Sequence, residues 1–417
     1  MSGQPEHQHE NGLSARGEVP PDWRLLTFEE YAAPPHHAKA SVLQRDYRSR
    51  GRFPVVDQGV GLVAGYTDDE SLVYAGPLPV IVFGDHTRAL KLVDFPFATG
   101  AEGTKLLVAR PEVVDPAFLY YALRAVPLES RGYNRHFNLL REKVIAAPKD
   151  LREQRAIAGV LAKVQRAAGV EDRRITALKE LKAATMAKVF REGLRGGPLK
   201  QTEIGQIPRT WDVITLGSGL RTAQYGLSVR GEKTGRVPIL RMNCQQDGRV
   251  VFRDLQYVDL DEPTIQRFRL QDGDLLFNRT NSFELVGRTA LFSGNREAVF
   301  ASYLIRLQVQ AEMLVPDFLN YYLNLESVQR AIKSLATRGV SQSNISASKL
   351  RTFLVPKPSL PEQWEITNAI ETIARSLEPC EQRREVLDPL FQSTLQRLIT
   401  GQLRVTSLLE GEEASHA

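Results

Sequence analysis

Three landmarks occur twice, in the same order, along the 417 residues of this chain, and that duplication constrains the fold more than any other feature. Pro20-Pro21-Asp22-Trp23-Arg24-Leu25-Leu26-Thr27-Phe28 reads against Pro208-Arg209-Thr210-Trp211-Asp212-Val213-Ile214-Thr215-Leu216. Pro116-Ala117-Phe118-Leu119-Tyr120-Tyr121-Ala122-Leu123 matches Pro316-Asp317-Phe318-Leu319-Asn320-Tyr321-Tyr322-Leu323, and Leu151-Arg152-Glu153-Gln154 matches Leu360-Pro361-Glu362-Gln363. The offset grows from 188 to 200 to 209, so the second copy carries a few loop insertions.

Each copy divides into a mixed segment and a long helical pattern. Val80–Phe83 and Thr104–Val108 in the first copy read as strands, as do Val237–Arg241, Asp274–Phe277 and Ser302–Leu307 in the second. Asp115-Pro116 and Val315-Pro316 open short helices, where an early proline costs nothing. From Gln154 to Phe190 apolar residues fall at Ile157, Leu161, Val164, Ala168, Ile175, Leu178 and Val189; from Gln363 to Ile399 they fall at Ile366, Ile370, Ile373, Leu377, Cys380, Leu387, Phe391 and Leu398. A seam of that period wants a partner helix, and each long helix is a plausible partner for the other. Helices of this length make a rod of roughly 60 Å, or about 18 base pairs of duplex. Pro379 and Pro389 should kink the second one. The fold class expected is α+β: two tandem mixed α/β domains separated by two long helices packed as an antiparallel coiled coil. The boundaries are 1–19 as a disordered extension, 20–150, helix 151–195, linker 196–207, 208–355, helix 356–405, and a disordered acidic tail 406–417.

Net charge is +5, which permits nucleic acid without demanding it. Residues 151–195 carry 11 Lys/Arg against 5 Asp/Glu, residues 208–355 carry 19 against 14, and residues 20–150 are balanced at 16 each. No run of about 18 apolar residues exists, so no membrane span is expected, and the polar N-terminus is no secretory signal. Two cysteines, Cys244 and Cys380, make neither a disulfide framework nor a four-ligand zinc site, which fits a reducing cytoplasm. No metal site is expected. The chain has no GxxxxGK[ST] loop, no GxGxxG after a strand, no HExxH pair and no adenine-methyltransferase Asn/Asp-Pro-Pro-aromatic run. Asp85-His86 could serve as an acid–base pair, but neighbouring strand residues point apart and no nucleophile lies close in sequence. No catalytic residue is assigned. A duplicated domain on helical struts suits two separated half-sites on duplex DNA. A two-domain protein-binding scaffold would also explain the duplication, and a nuclease or methyltransferase with a hidden site is the third reading.

Further strings carry a resemblance. They are Phe53-Pro54-Val55-Val56-Asp57-Gln58-Gly59, Gly84-Asp85-His86-Thr87-Arg88, Val93-Asp94-Phe95-Pro96-Phe97, Gly273-Asp274-Leu275-Leu276-Phe277-Asn278-Arg279-Thr280, Glu284-Leu285-Val286-Gly287-Arg288, Ser341-Gln342-Ser343-Asn344-Ile345 and Arg397-Leu398-Ile399-Thr400-Gly401. In order across both repeats, residues 20–405 resemble the specificity subunits of type I restriction–modification systems. The resemblance implies two target-recognition domains, each reading half of a bipartite double-stranded DNA target. It implies helices that set the spacer and dock two methyltransferase subunits, with restriction/translocase subunits joining them. S-adenosylmethionine, ATP and Mg²⁺ would then belong to those partners, and this chain would bind no cofactor. The histidine-containing N-terminal extension and the two helix prolines depart from the family pattern.

Base readout needs Arg, Lys, Asn, Gln, Ser or Thr on loops that reach a groove, and phosphate contacts need mostly Arg and Lys. The candidates in the first domain are Arg45, Arg48, Arg50 and Arg52, then Arg88 and Lys105 at strand ends, then Arg135 and His136. In the second they are Asn243, Gln245 and Gln246, the turn Asn278, Arg279, Thr280 and Asn281, and the group Arg338, Gln342 and Ser343. Each is otherwise a solvated charge or a turn cap. Gln342 and Asn344 have the alternative of locking the recognition domain onto its helix, since the resemblance sets them beside that junction.

Overall fold

The computed structural model describes residues 19–33, 41–100, 103–129, 135–338 and 342–405. The expected disordered ends, 1–19 and 406–417, fall almost wholly outside them. The chain forms two compact units, Met1–Asp172 with Gln382–Ala417, and Arg173–Glu381. Both long helices contribute to both units.

In the first unit the strand Val80–Gly84 lies between Leu90–Val93 and Thr104–Leu107, antiparallel to each. All five of its residues are buried, so it reads as a continuous apolar run rather than an alternation. A second sheet pairs Phe53–Val56 antiparallel with Gly65–Thr67 and parallel with Ala98–Thr99. Trp23–Leu26 pairs with Ile145–Pro148, which brings the start of the repeat to the foot of its long helix. The helix Pro116–Ala125 starts as the proline predicts, with the Asp115 carboxylate accepting from the N–H groups of Ala117 and Phe118 at 3.0 Å. Its Phe118 ring meets Trp23 edge-on at 6.5 Å between centroids.

The second unit repeats this plan with additions. Leu275–Asn278 is again wholly buried, here inside a six-stranded sheet between Leu304–Val309 and Thr289–Leu291. Val237–Leu240 lies between Gln256–Val258 and Val299–Phe300. Asp212–Thr215 pairs with Leu354–Lys357, and Trp211 meets Phe318 edge-on at 6.4 Å. The residues expected as a linker form a hairpin, Leu199–Thr202 with Gly205–Pro208.

The two long helices are Leu151–Glu192 and Leu360–Ile399, 42 and 40 residues. The second is α-helical throughout, so Pro379 and Pro389 do not interrupt it; each removes one backbone hydrogen bond from a helix whose flanks are held by packing. The helices pair antiparallel: Glu171 with Arg383 and Asp172 with Arg384 in the first unit, Lys179 with Glu381 and Arg195 with Glu365 in the second. The expected apolar seam needs correction in its middle. Ile157, Leu161, Ile366 and Ile370 are fully buried, but among the side chains of their own units' cores. Leu377 and Phe391 are also buried, while Val164, Ile175, Leu178, Ile373 and Leu387 are only half-buried. Between them Glu171, 6% exposed, takes a core position with Arg383 as counter-ion at 3.2 Å. The seam keeps buried apolar positions through its middle, at Ala168, Leu377 and Cys380, and admits one buried ion pair there, Glu171 with Arg383.

One buried residue ties each long helix to its mixed segment, in the same way twice. The Gln154 side chain accepts the Asp115 N–H at 2.8 Å and donates to the carbonyls of Pro148 at 2.8 Å and Val113 at 3.3 Å. Gln363 accepts the Val315 N–H at 2.8 Å and donates to Met313 and Pro358 at 2.9 and 3.0 Å. Both glutamines are 0% exposed. A primary amide is the side chain that suits such a site, because it offers an acceptor and two donors without charge.

Candidate nucleic-acid interface

The strand Leu275–Asn278 ends against backbone partners: Asn278 donates its N–H to Arg288 and accepts from Gly287, both at 2.8 Å. The chain then turns, and Thr280–Asn281 joins a small antiparallel sheet with Ser343–Asn344, which pairs in turn with Thr337–Arg338. Two groups of candidates that lie some sixty residues apart in sequence thus form one cluster. Within it Arg279 is half-buried. Its Nη2 donates to Asn344 Oδ1 at 2.9 Å, its Nη1 to the Ser302 carbonyl at 3.4 Å, and its guanidinium lies over the Tyr225 ring at 4.8 Å. Asn344 is held by its own donation to Thr280 Oγ1 at 3.1 Å, and Tyr225 accepts the Ala347 N–H at 2.8 Å. Tyr225 and Tyr303 are both about two-fifths exposed, at 43% and 42%.

The other members divide by burial. Asn278, Thr280 and Ser343 are buried, at 2%, 9% and 4% exposed, so as placed they build the turn and cannot reach a groove. Asn281 caps the turn by accepting the Ser282 N–H at 2.8 Å, and Gln342 is exposed. The Arg338 side chain lies outside what is described. Asn344 serves Arg279 and Thr280, and a lock onto the helix is made by Gln363. Asn243 and Gln246 are exposed; Gln245 is half-buried and donates to the Leu276 carbonyl at 2.7 Å. Burial pushes the neighbouring Cys244 thiol up, so it stays protonated at neutral pH.

The first unit places an equivalent turn after its equivalent strand. Asp85 follows Val80–Gly84 as Arg279 follows Leu275–Asn278, and its backbone N–H donates to Gly103 as that of Arg279 donates to Tyr303. The side chains differ. Asp85 is 2% exposed and turned inward, accepting the Phe137 N–H at 2.8 Å, while its carbonyl accepts the His136 N–H. His136 is itself 1% exposed, with Nδ1 at 3.0 Å from that carbonyl. His136 therefore pins this turn and does not face solvent as expected, and Asp85 is occupied with backbone rather than poised for acid–base work.

The exposed groups around this turn are Arg88, which also donates to the Leu128 carbonyl at 2.8 Å, and Arg135, while Lys105 is half-buried. In the arginine run Arg48 pairs with Asp68, Arg52 with Glu70 at 3.5 Å, and Arg45 sits 3.9 Å from Asp46. Arg50 is exposed. Sequence reading passed over the loop between the strands Phe53–Val56 and Gly65–Thr67. Its tip carries Val60, 88% exposed, beside Leu62 at 48%, and its base is anchored where Thr87 Oγ1 donates to the Gln58 carbonyl. Glycines 59 and 61, flanking the apolar residue, were the available signal. Tyr225 and Asn344 were missed because nothing local links them to Arg279.

Among the described residues no group of three His, Cys, Asp or Glu could hold a metal, no helix is long and apolar enough to cross a membrane, and both cysteines are buried.

Residues 209–388 match the family model for the type I restriction modification DNA specificity domain. The chain is 30% identical over 204 residues to the putative type I restriction enzyme MjaX specificity subunit of Methanocaldococcus jannaschii, covering 48% of each. It is 26% identical over 254 residues to the EcoKI specificity subunit of Escherichia coli K12, covering 55% of this chain and 54% of that one. The match thus spans about half the length of these curated relatives. In fold, it superimposes on the S subunit of a type I restriction–modification system from M. genitalium with a TM-score of 0.65 at 16% identity, over 93% of this chain and 98% of the other.

Proposed function

We propose that the chain is a specificity subunit of a type I restriction–modification system, one that binds duplex DNA at a two-part target and performs no chemistry itself; the match of residues 209–388 to the specificity-domain model and the likeness in fold support this reading. Residues 20–150 and 208–355 are the two target-recognition domains, and the helices 151–195 and 356–405 carry the partners. Two methyltransferase subunits and restriction/translocase subunits dock on the chain; S-adenosylmethionine, ATP and Mg²⁺ belong to them. The complex works in the cytoplasm, where the host DNA lies.

One observation carries this reading. The same turn follows the same buried strand in both units, held by the same backbone bond, yet presents different side chains: Arg279 in one, an inward Asp85 with Arg88 beyond it in the other. A duplicated scaffold with divergent tips is what two readers of unlike half-sites require. The readers are drawn from the exposed or half-buried candidates: Arg45, Arg48, Arg50, Arg52, Arg88, Lys105 and Arg135 in the first domain, Asn243, Gln245, Gln246, Arg279, Asn281 and Gln342 in the second. Asn278, Thr280, Ser343 and His136 support them from beneath.

A salt titration of the full chain on duplex DNA tests the reading. Affinity should fall steeply between 50 and 200 mM salt, since neutralising several phosphates releases their counterions. A flat response, with capture of protein partners but no DNA retardation, would favour the scaffold reading. Methylation or cleavage by the chain alone, given S-adenosylmethionine or Mg²⁺, would overturn the absence of chemistry.

A further inference from the structure

A guanidinium carries five N–H donors. In Arg279 one Nη2 proton goes to Asn344 and one Nη1 proton to Ser302, while Nε is buried without a partner and out of reach. One proton on each terminal nitrogen remains. The plane that holds them is fixed on several sides: the Tyr225 ring lies against the guanidinium at 4.8 Å, and Asn344 is itself fixed by Thr280 and by strand pairing. Most of the rotamer freedom of this long side chain is therefore lost before any ligand arrives.

Resting on the DNA-binding reading above, we propose that Arg279 reads a single guanine in one half of the target, with Asn344 as the positioning residue that aims it. Guanine alone presents two acceptors, O6 and N7, on its major-groove edge. Adenine sets a donor beside its N7, cytosine offers a donor there, and thymine offers one acceptor beside a methyl group. Two N–H donors on a locked fork match the first edge and conflict with the others. A phosphate also accepts two bonds, but it rewards charge at many angles and needs no locked plane. The demand applies to one half-site only, because the equivalent position in the first unit is the buried Asp85. A bidentate contact of this kind separates right from wrong base by roughly 5- to 150-fold.

The test uses the full chain. Duplexes enriched from a random pool define the bound motif. Each guanine of that motif is then replaced singly by 7-deazaguanine, which pairs normally but lacks the N7 acceptor, and affinity is read by fluorescence anisotropy. One position, in one half, should cost the natural chain about fivefold or more, and should cost Arg279→Ala and Arg279→Met nothing. Asn344→Ala should shrink that penalty while the other half of the motif stays as selective as before, which also shows that the variant is folded. A penalty that persists in Arg279→Ala and Arg279→Met overturns the assignment. So does an equal loss on every sequence with a salt slope shallower by about one, the mark of a phosphate contact. Failure of the natural chain to enrich any motif removes the DNA-binding reading itself, and this proposal with it.

Discussion

Replacing Gln363 with alanine tests whether the buried amide at the helix foot holds the second unit together. Three backbone groups lose their partner at once: the Val315 N–H and the carbonyls of Met313 and Pro358. Each buried orphan costs about 1–3 kcal/mol, so the expected loss is on the order of 3–9 kcal/mol, the lower figure applying where water enters the vacated space. For a unit of about 200 residues, a loss of about 3 kcal/mol lowers the midpoint of unfolding by roughly 6–12 °C. Gln363→Glu refines the test. Among two carbonyls and away from water, the new carboxyl would hold its proton to higher pH than the ~4.3 of an unfolded chain. That variant should be closest to the parent below about pH 4 and lose stability as pH rises, because the folded form then binds more protons than the unfolded one. Hydrogen exchange read by mass spectrometry, peptide by peptide, should show faster exchange around 313–320 and 355–370 with little change around 113–118 and 148–158. Gln154→Ala should give the converse pattern. A loss of stability under about 1 kcal/mol, or equal acceleration in both sets of peptides, would refute the argument.

Three further outcomes follow from other parts of the structure. Arg404 joins Asp22 and Glu153, and the Glu153 side chain is only 6% exposed, so Arg404→Ala should cost about 2–3 kcal/mol. Adding Glu153→Gln should recover much of that loss in a denaturant titration, since no orphan carboxylate then remains. Burial holds the Lys182 ammonium below the usual lysine range, against the Tyr321 ring. Its folded form sheds the proton before the unfolded chain does, so its cost is felt at neutral pH and eases as pH climbs toward ~10.4. Lys182→Met should raise the melting temperature at pH 7 and flatten its pH dependence above pH 8; an unchanged slope would count against this. Finally, Cys244 and Cys380 are buried, and a thiol reagent should label neither within minutes until denaturant is added.

Much of the framework is legible in the sequence because it rests on short-range signals. The prolines at 116 and 316 start helices, the 3.6-residue period marks both long helices, and the duplicated landmarks fix the order of parts. The Glu-Gln helix starts were visible as strings, but the role of Gln154 and Gln363 was not, since their partners lie about forty to fifty residues upstream. The pairing of Thr280–Asn281 with Ser343–Asn344 escaped for the same reason, and two-residue strands carry no period to read. His136 suits a DNA contact by residue type, yet it is buried by a contact fifty-one positions away. The ion pair inside the helix seam was missed because a buried Glu171 looks like any solvated charge until Arg383 is set against it.

The first unit takes its interior from two distant stretches of the chain: Trp23, Phe83 and Leu161 pack in one cluster with Phe391, Leu395, Leu398 and Val405. During synthesis the amino-terminal part of that interior emerges first and must wait while residues 173–381, a contiguous unit, are made. At 5–20 residues per second the delay is about 10–40 s. The later unit can therefore mature before the earlier one, with the half-built hydrophobic surface open in the meantime. A nonsense codon anywhere upstream of Phe391 would leave that surface permanently uncovered, and such a product should be a substrate for chaperones and proteases rather than a shorter working protein.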